Sequence, residues 1–134
     1  MSDQYRRVVV TGMGVITPIG NTIEEFWLSA INGISGIDNF AHLDTSNYPC
    51  KVAGEIKDFD PTEYMDKKSA RRMARFSQFA VATARQSIQN ASLNIEEIDR
   101  TRMGIVCGNG GGGYPSVSYT HLRAHETDSY RVCR

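Results

Sequence analysis

Five cations crowd into nine positions of this chain: Lys67, Lys68, Arg71, Arg72 and Arg75, with no acid among them. On a helix, at about 100° per residue, they would share an arc of roughly 140°. The chemistry open to such a face is recognition of anions, with an acidic partner steered in and released by salt. A solvated basic surface with no partner would carry the same residues, and both readings stand. The chain as a whole has no net charge, so the cluster is local. A general nucleic-acid or membrane-surface binder would be basic throughout, and neither kind of partner is expected.

The remaining reactive side chains offer less. Cys50, Cys107 and Cys133 are odd in number and share no metal-like spacing, which fits a reducing cytoplasm. Cys107 closes an apolar run and is read as a buried core thiol. Cys50 falls in a turn-rich stretch with no His beside it. His42 is read as a surface residue. His121 and His125 stand four apart, but in a stretch with no helical periodicity, so no metal site is expected. No cofactor is expected either. Gly12 and Gly14 invite comparison with a dinucleotide loop, but position 17 is Thr and Pro18 follows, so the fingerprint fails. The glycine run at 108–113 lacks the Lys and hydroxyl residue of a P-loop. It would let a backbone approach a ligand closely.

These groups need elements to hold them. Ala70, Met73, Phe76, Ala80, Ala84, Ile88 and Ala91 recur at steps of three and four, and no Gly or Pro interrupts. The spacing predicts one helix over 66–92, about 40 Å long. Its alanine-rich half would let another backbone pack closely. Its cations would sit at the N-terminal end, where the helix dipole disfavours them. A second helix is expected from Asn21 or Thr22, with Glu24 and Glu25 in its first turn, a stripe of Phe26, Trp27, Ala30 and Ile31, and Gly33 as its stop. Residues 60–63 read as a capping box with Pro61 at the first helical position. Residues 51–56 could form a short edge strand, and 94–102 a loop or a short helical turn. Residues 6–11 and 102–107 are apolar without alternation, as in buried parallel strands. Two such strands need neighbours and cover on both faces. The chain supplies few, so exposed sheet edges and an incomplete fold are expected. No apolar run is long enough to span a bilayer.

The strings Arg-Arg-Val-Val-Val-Thr-Gly-Met-Gly-Val-Ile-Thr-Pro-Ile-Gly-Asn, Phe-Trp, Gly-Ile-Ser-Gly-Ile, Arg-Arg-Met-Ala-Arg-Phe and Gly-Ile-Val-Cys-Gly-Asn-Gly occur in this order. Together they resemble the N-terminal part of a β-ketoacyl-[acyl-carrier-protein] synthase, closest to the synthase II type of bacterial fatty-acid synthesis. The resemblance implies an α/β protein with a partial thiolase fold, the first part of its N-terminal half, in layered helices and a mixed sheet. It implies a cytoplasmic homodimeric acyltransferase that condenses acyl groups with malonyl-carrier protein. The family's nucleophilic Cys and two His would lie further along than this sequence reaches. No catalytic residue is therefore expected here, and the chain alone is expected to be inactive. Acyl carrier protein is the implied acidic partner. Lys67, Lys68, Arg71 and Arg72 match the family's docking helix, and Arg75 fits it less well. Gly111 matches a position beside the acyl pocket. Residues 1–116 carry the resemblance, and 117–134 resemble translated adapter sequence and are set apart as a non-native tail. A non-catalytic partner subunit such as a chain-length factor, or a small carrier-protein-binding module, would share these features.

Overall fold

The computed structural model describes residues 6–41 and 43–112. His42, His121, His125, Cys133 and the tail at 117–134 lie outside them.

Helix α1 (Ile23–Ile31) starts where its cap dictates. The Thr22 side chain accepts a hydrogen bond from the Glu25 amide at 3.2 Å, and the Glu25 carboxylate accepts one from the Asn21 amide at 2.9 Å. The first satisfies one of the amides a helix start leaves unpaired, and the second ties down the residue before the cap. Gly33, at φ 66°, ends the helix in the left-handed region that glycine enters without a Cβ clash. The expected stripe is there but is not covered: Trp27 is 62% exposed.

The single helix expected over 66–92 is two. Helix α2 (Lys67–Arg72) is capped by Asp66, whose carboxylate accepts from the amides of Lys68 and Ser69. The backbone then turns extended at Met73 (ψ 138°) and Ala74 (ψ 152°), and helix α3 runs Arg75–Asn90. Neither Gly nor Pro marks the break. It is held by side chains instead, among them Gln78, which reaches back to the end of α2. Before α2, residues Pro61–Glu63 form one 3₁₀ turn capped by the Asp60 carboxylate, which accepts from the Thr62 amide at 2.8 Å. A second 3₁₀ turn, Arg100–Arg102, falls inside the stretch expected to hold a loop or helical turn.

The stripe expected on α3 is not the packed one: Ala80 and Ala84 stay exposed, and α3 is packed on along Thr83, Ser87 and Ala91. What packs there is the backbone at Gly12 to Gly14. A Cβ on Gly14 would stand 2.1 Å from the Thr83 carbonyl oxygen, and one on Gly12 2.3 Å from that of Ser87. Side chains of α3 seal the contact: the Met13 amide donates to Asn90 Oδ1 at 3.1 Å and the Val15 amide to Gln86 Oε1 at 2.8 Å. Gln86 Nε2 in turn donates to the Asn21 carbonyl at 2.7 Å and to the Tyr64 hydroxyl at 3.0 Å. One side chain thus ties α3 to the approach of α1 and to the turn before α2. Ala82, fully buried, and the nearly buried Met65 and Ala70 mark the core. Phe59 extends it, stacked on Tyr64 and edge-on to Phe79 at 5.0 Å between centroids.

The expected mixed sheet does not form among the described residues. Residues 6–11 and 102–107 run without strand pairing, and the apolar side chains there face outward: Val8 is 93% exposed and Val106 100%. A strand is a pairing rather than a property of one segment, and neither run finds a partner. The one sheet is a short antiparallel ladder of β1 (Asp38–Asn39) and β2 (Val52–Ala53), with Asp38 opposite Ala53. It contains the edge strand expected within 51–56.

Candidate functional site

Lys67, Lys68, Arg71 and Arg72 all fall on the six residues of α2, and all four are exposed. Among the described residues the one ion pair is Lys57 with Asp38, 3.1 Å apart. The four cations of α2 are therefore open to a partner. Ala70, buried, seats the other side of the helix on the core, and Met65, buried just before the N-cap, anchors its start.

The break after Arg72 alters the electrostatics expected of a single long helix. Arg71 and Arg72 occupy the last turn of α2, where the helix dipole favours cations rather than opposing them. Only Lys67 and Lys68 stand at the unfavourable end. Asp66 offsets them there: hydrogen bonds from Ser69, side chain first and amide second, and from the Lys68 amide hold its carboxyl below the usual value. The dipole thus gives no separate reason to read the cluster as a binding site. Its one-sidedness and its exposure remain.

Arg75 does not join the patch. It opens α3, past the break, and its guanidinium lies 5.2 Å from the Phe59 ring centroid and 5.1 Å from that of Phe79. Both are cation–π distances. The same residues border an open cleft of about 1060 Å³ between the 54–61 segment and α3. A second cleft, of about 520 Å³, is lined by Pro61, Thr62, Lys67, Arg71, Met73 and Gln78, directly beneath two of the cations.

Gly111 is exposed, and its amide donates to Asn109 Oδ1 at 3.1 Å. The neighbouring Gly112 lies against Phe76 of α3: a Cβ on it would meet the Phe76 ring at 2.6 Å. Gly112 is therefore placed on the first turn of α3, close to Arg75, while a Cβ on Gly108 or Gly110 would meet nothing within 4 Å. Cys107 is exposed, not the buried core thiol expected, because the run that carries it pairs with nothing. Cys50 is exposed too, and its thiol donates to the Val52 carbonyl at 3.4 Å. Gln78 and Gln86, the two side chains that organise this region, drew no attention in the sequence. A lone glutamine on a helix carries no spacing signal. No helix among the described residues is long and apolar enough to cross a membrane.

Comparison with known proteins gives a consistent set. The family model described as "Beta-ketoacyl synthase, N-terminal domain" matches residues 5–133, a span that includes most of the stretch set apart as a tail. The 3-oxoacyl-[acyl-carrier-protein] synthase 2 of Staphylococcus aureus (strain COL) is 40% identical over 130 residues, 97% of this chain. That of Vibrio harveyi is 45% identical over 127 residues, 95% of the chain. The chain spans 31% of the length of each. Among solved structures, the ishigamide ketosynthase/chain length factor aligns at a TM-score of 0.63 with 35% identity, over 69% of this chain and 23% of its own. A type II polyketide ketosynthase complex, AntDE:AntF, solved with its acyl-carrier protein and bound to the hexaketide, aligns at 0.64 with 26% identity, over 87% of this chain and 32% of its own.

Proposed function

Since the chain belongs to the β-ketoacyl synthase family, we propose that it forms part of an acyltransferase that lengthens acyl chains by condensation with malonyl-[acyl-carrier-protein], as in fatty-acid elongation. The observation that carries this reading is the family match over residues 5–133, joined by synthase 2 relatives at 40% and 45% identity. In the reaction, a Cys thiolate displaces the carrier's thiol and holds the acyl group as a thioester. Loss of carbon dioxide from the malonyl group leaves an enolate. Its carbon attacks the thioester carbonyl, forms the new C–C bond and expels the Cys thiolate. Splitting the transfer through a covalent intermediate lowers each barrier, and His donors stabilise the enolate oxygen. The reading assigns the Cys and both His to the part of the relatives' length that this chain does not span. It further assigns the complete protein a layered thiolase fold, a homodimeric state and a place in the cytoplasm. Residues 1–116 are native in this reading, and the family match, carried on to residue 133, counts against setting 117–134 apart.

The test is to assay the full-length gene product with acyl- and malonyl-carrier protein. Carbon dioxide release with formation of a 3-oxoacyl-carrier protein is expected. A protein that binds the carrier, lacks a nucleophilic Cys and forms no product would instead establish a chain-length-factor-like subunit. The ishigamide ketosynthase/chain length factor, aligned at 35% identity, carries both kinds of subunit in its name and so favours neither reading over the other. A free-standing carrier-binding module is disfavoured by the outward-facing valines at 8–10.

Within this reading Gly111 borders the acyl pocket, where the unbroken glycine run leaves room for long or bent chains. Gly111→Phe should shift the preferred acyl chain to shorter lengths. One methylene of lost fit changes selectivity by about 10-fold or more. Competition between acyl-carrier proteins of graded length measures it, and an unchanged profile removes Gly111 from the pocket.

The basic face of α2 is the docking surface for the acidic carrier in this reading. The solved AntDE:AntF complex supports a carrier protein as the partner class for a relative of this kind.

A further inference from the structure

The break between α2 and α3 leaves the C-terminal end of α2 joined to α3 by two extended residues, Met73 and Ala74. Ala74 caps α3 with no side-chain hydrogen bond. In a continuous helix the Ala70 carbonyl would accept the Ala74 amide, but here that amide does not reach it. Gln78, one turn into α3, supplies the missing donor. Its Nε2 lies 2.7 Å from the Ala70 carbonyl oxygen, a part-buried bond, and 3.4 Å from that of Met73, at the outer limit of a contact. This is a bond across the hinge, from the rigid 16-residue helix to the last turn of the short one. Arg75 reinforces the α3 side, held between Phe59 and Phe79.

We infer that Gln78 is a positioning residue for partner docking: its amide latches the end of α2 to α3 and fixes the angle at which Lys67, Lys68, Arg71 and Arg72 are presented. The inference rests on the reading of α2 as the carrier-protein surface. Gln78 lies beneath the patch, lining the cleft with Lys67 and Arg71, and acts through α2. Without the latch, the C-terminal end of α2 is free to shift at Met73 and Ala74, and the four charges move together out of their fixed orientation on the molecule. The net charge is unchanged, so long-range steering survives while the docked geometry is lost.

Gln78→Met keeps the length of the side chain and removes the donor. In the full-length gene product, KM for carrier-bound substrates should rise about two- to tenfold, the range of one lost hydrogen bond. The kcat, and turnover of small acyl thioesters that need no docking, should hold. Equal losses with both substrate classes, or a lowered melting temperature that accounts for the change, would overturn the inference and leave Gln78 a structural residue. An unchanged KM would also overturn it. The double variant Arg71→Gln with Arg72→Gln, run beside it, separates the two levels. If that variant discriminates between the substrate classes and Gln78→Met does not, the docking reading stands and the latch falls. If the double variant does not discriminate, both fall.

Discussion

Gly14→Ala is expected to lower the stability of the chain by about 3 kcal/mol, the upper range for forcing one methyl into a packed contact. The new Cβ would fall 2.1 Å from the Thr83 carbonyl oxygen and 2.9 Å from both Gln86 Cβ and Ser87 Oγ. The nearest of these atoms belongs to helix backbone, which cannot rotate away. The 12–14 segment must therefore lift off α3. The Val15 amide then loses Gln86 and the Met13 amide loses Asn90, each bond worth roughly 1 kcal/mol. Gln86 also holds Asn21 and Tyr64, so the damage spreads to the start of α1. Gly104→Ala is the control: nothing lies within 4 Å of the added methyl, and a change within about 0.5 kcal/mol is expected. Urea unfolding followed by helical ellipticity compares the two. Equal midpoints would show that the glycines do not pack on α3 as described.

Those glycines show what a sequence does and does not display. The failure of the dinucleotide fingerprint at Thr17 and Pro18 was legible, and so was a helix on which a backbone could pack closely. The face used was not: Ala80 and Ala84 stay exposed, and the contact runs along Thr83, Ser87 and Ala91. Nor was it legible that Gly12 and Gly14 supply that backbone, since 69 residues separate Gly14 from Thr83. The caps were legible at Thr22 and Asp60, because capping depends on side chains within three residues of the amides they serve. The break at Met73 was not. Helical periodicity continues across it, and the bond that stabilises it comes from Gln78, a residue type with no positional signature. The two valine- and isoleucine-rich runs read as strands but form none, because strand formation needs a partner elsewhere and no local pattern supplies one. The four cations survived every change in secondary structure because all lie within one short helix. Arg75 did not, because two extended residues were enough to rotate it out of the arc.

The largest functional effect is expected from reversing the charge of that helix. Arg71→Glu with Arg72→Glu changes the patch by four charge units, from +4 to zero when Lys67 and Lys68 are counted with them. Rim charges act chiefly on association, and their removal lowers the on-rate for an oppositely charged partner by roughly 10-fold or more at low salt. The kcat/KM of the full-length gene product with carrier-bound substrates should fall by about that factor, and the difference from the unaltered protein should shrink as salt rises toward about 0.5 M. Small acyl thioesters should turn over as before. A second effect must be separated from docking. Arg71 and Arg72 sit in the last turn of α2, so glutamates there oppose the dipole and weaken the helix by roughly 0.3–1 kcal/mol. The glutamine pair at the same positions removes charge without adding that repulsion. If it reproduces at least half of the loss in log kcat/KM, two of the four charge units removed, the patch acts through its charge. If the glutamine pair is silent while the glutamate pair impairs both substrate classes, the loss comes from unwinding α2, and the cations are a solvated face.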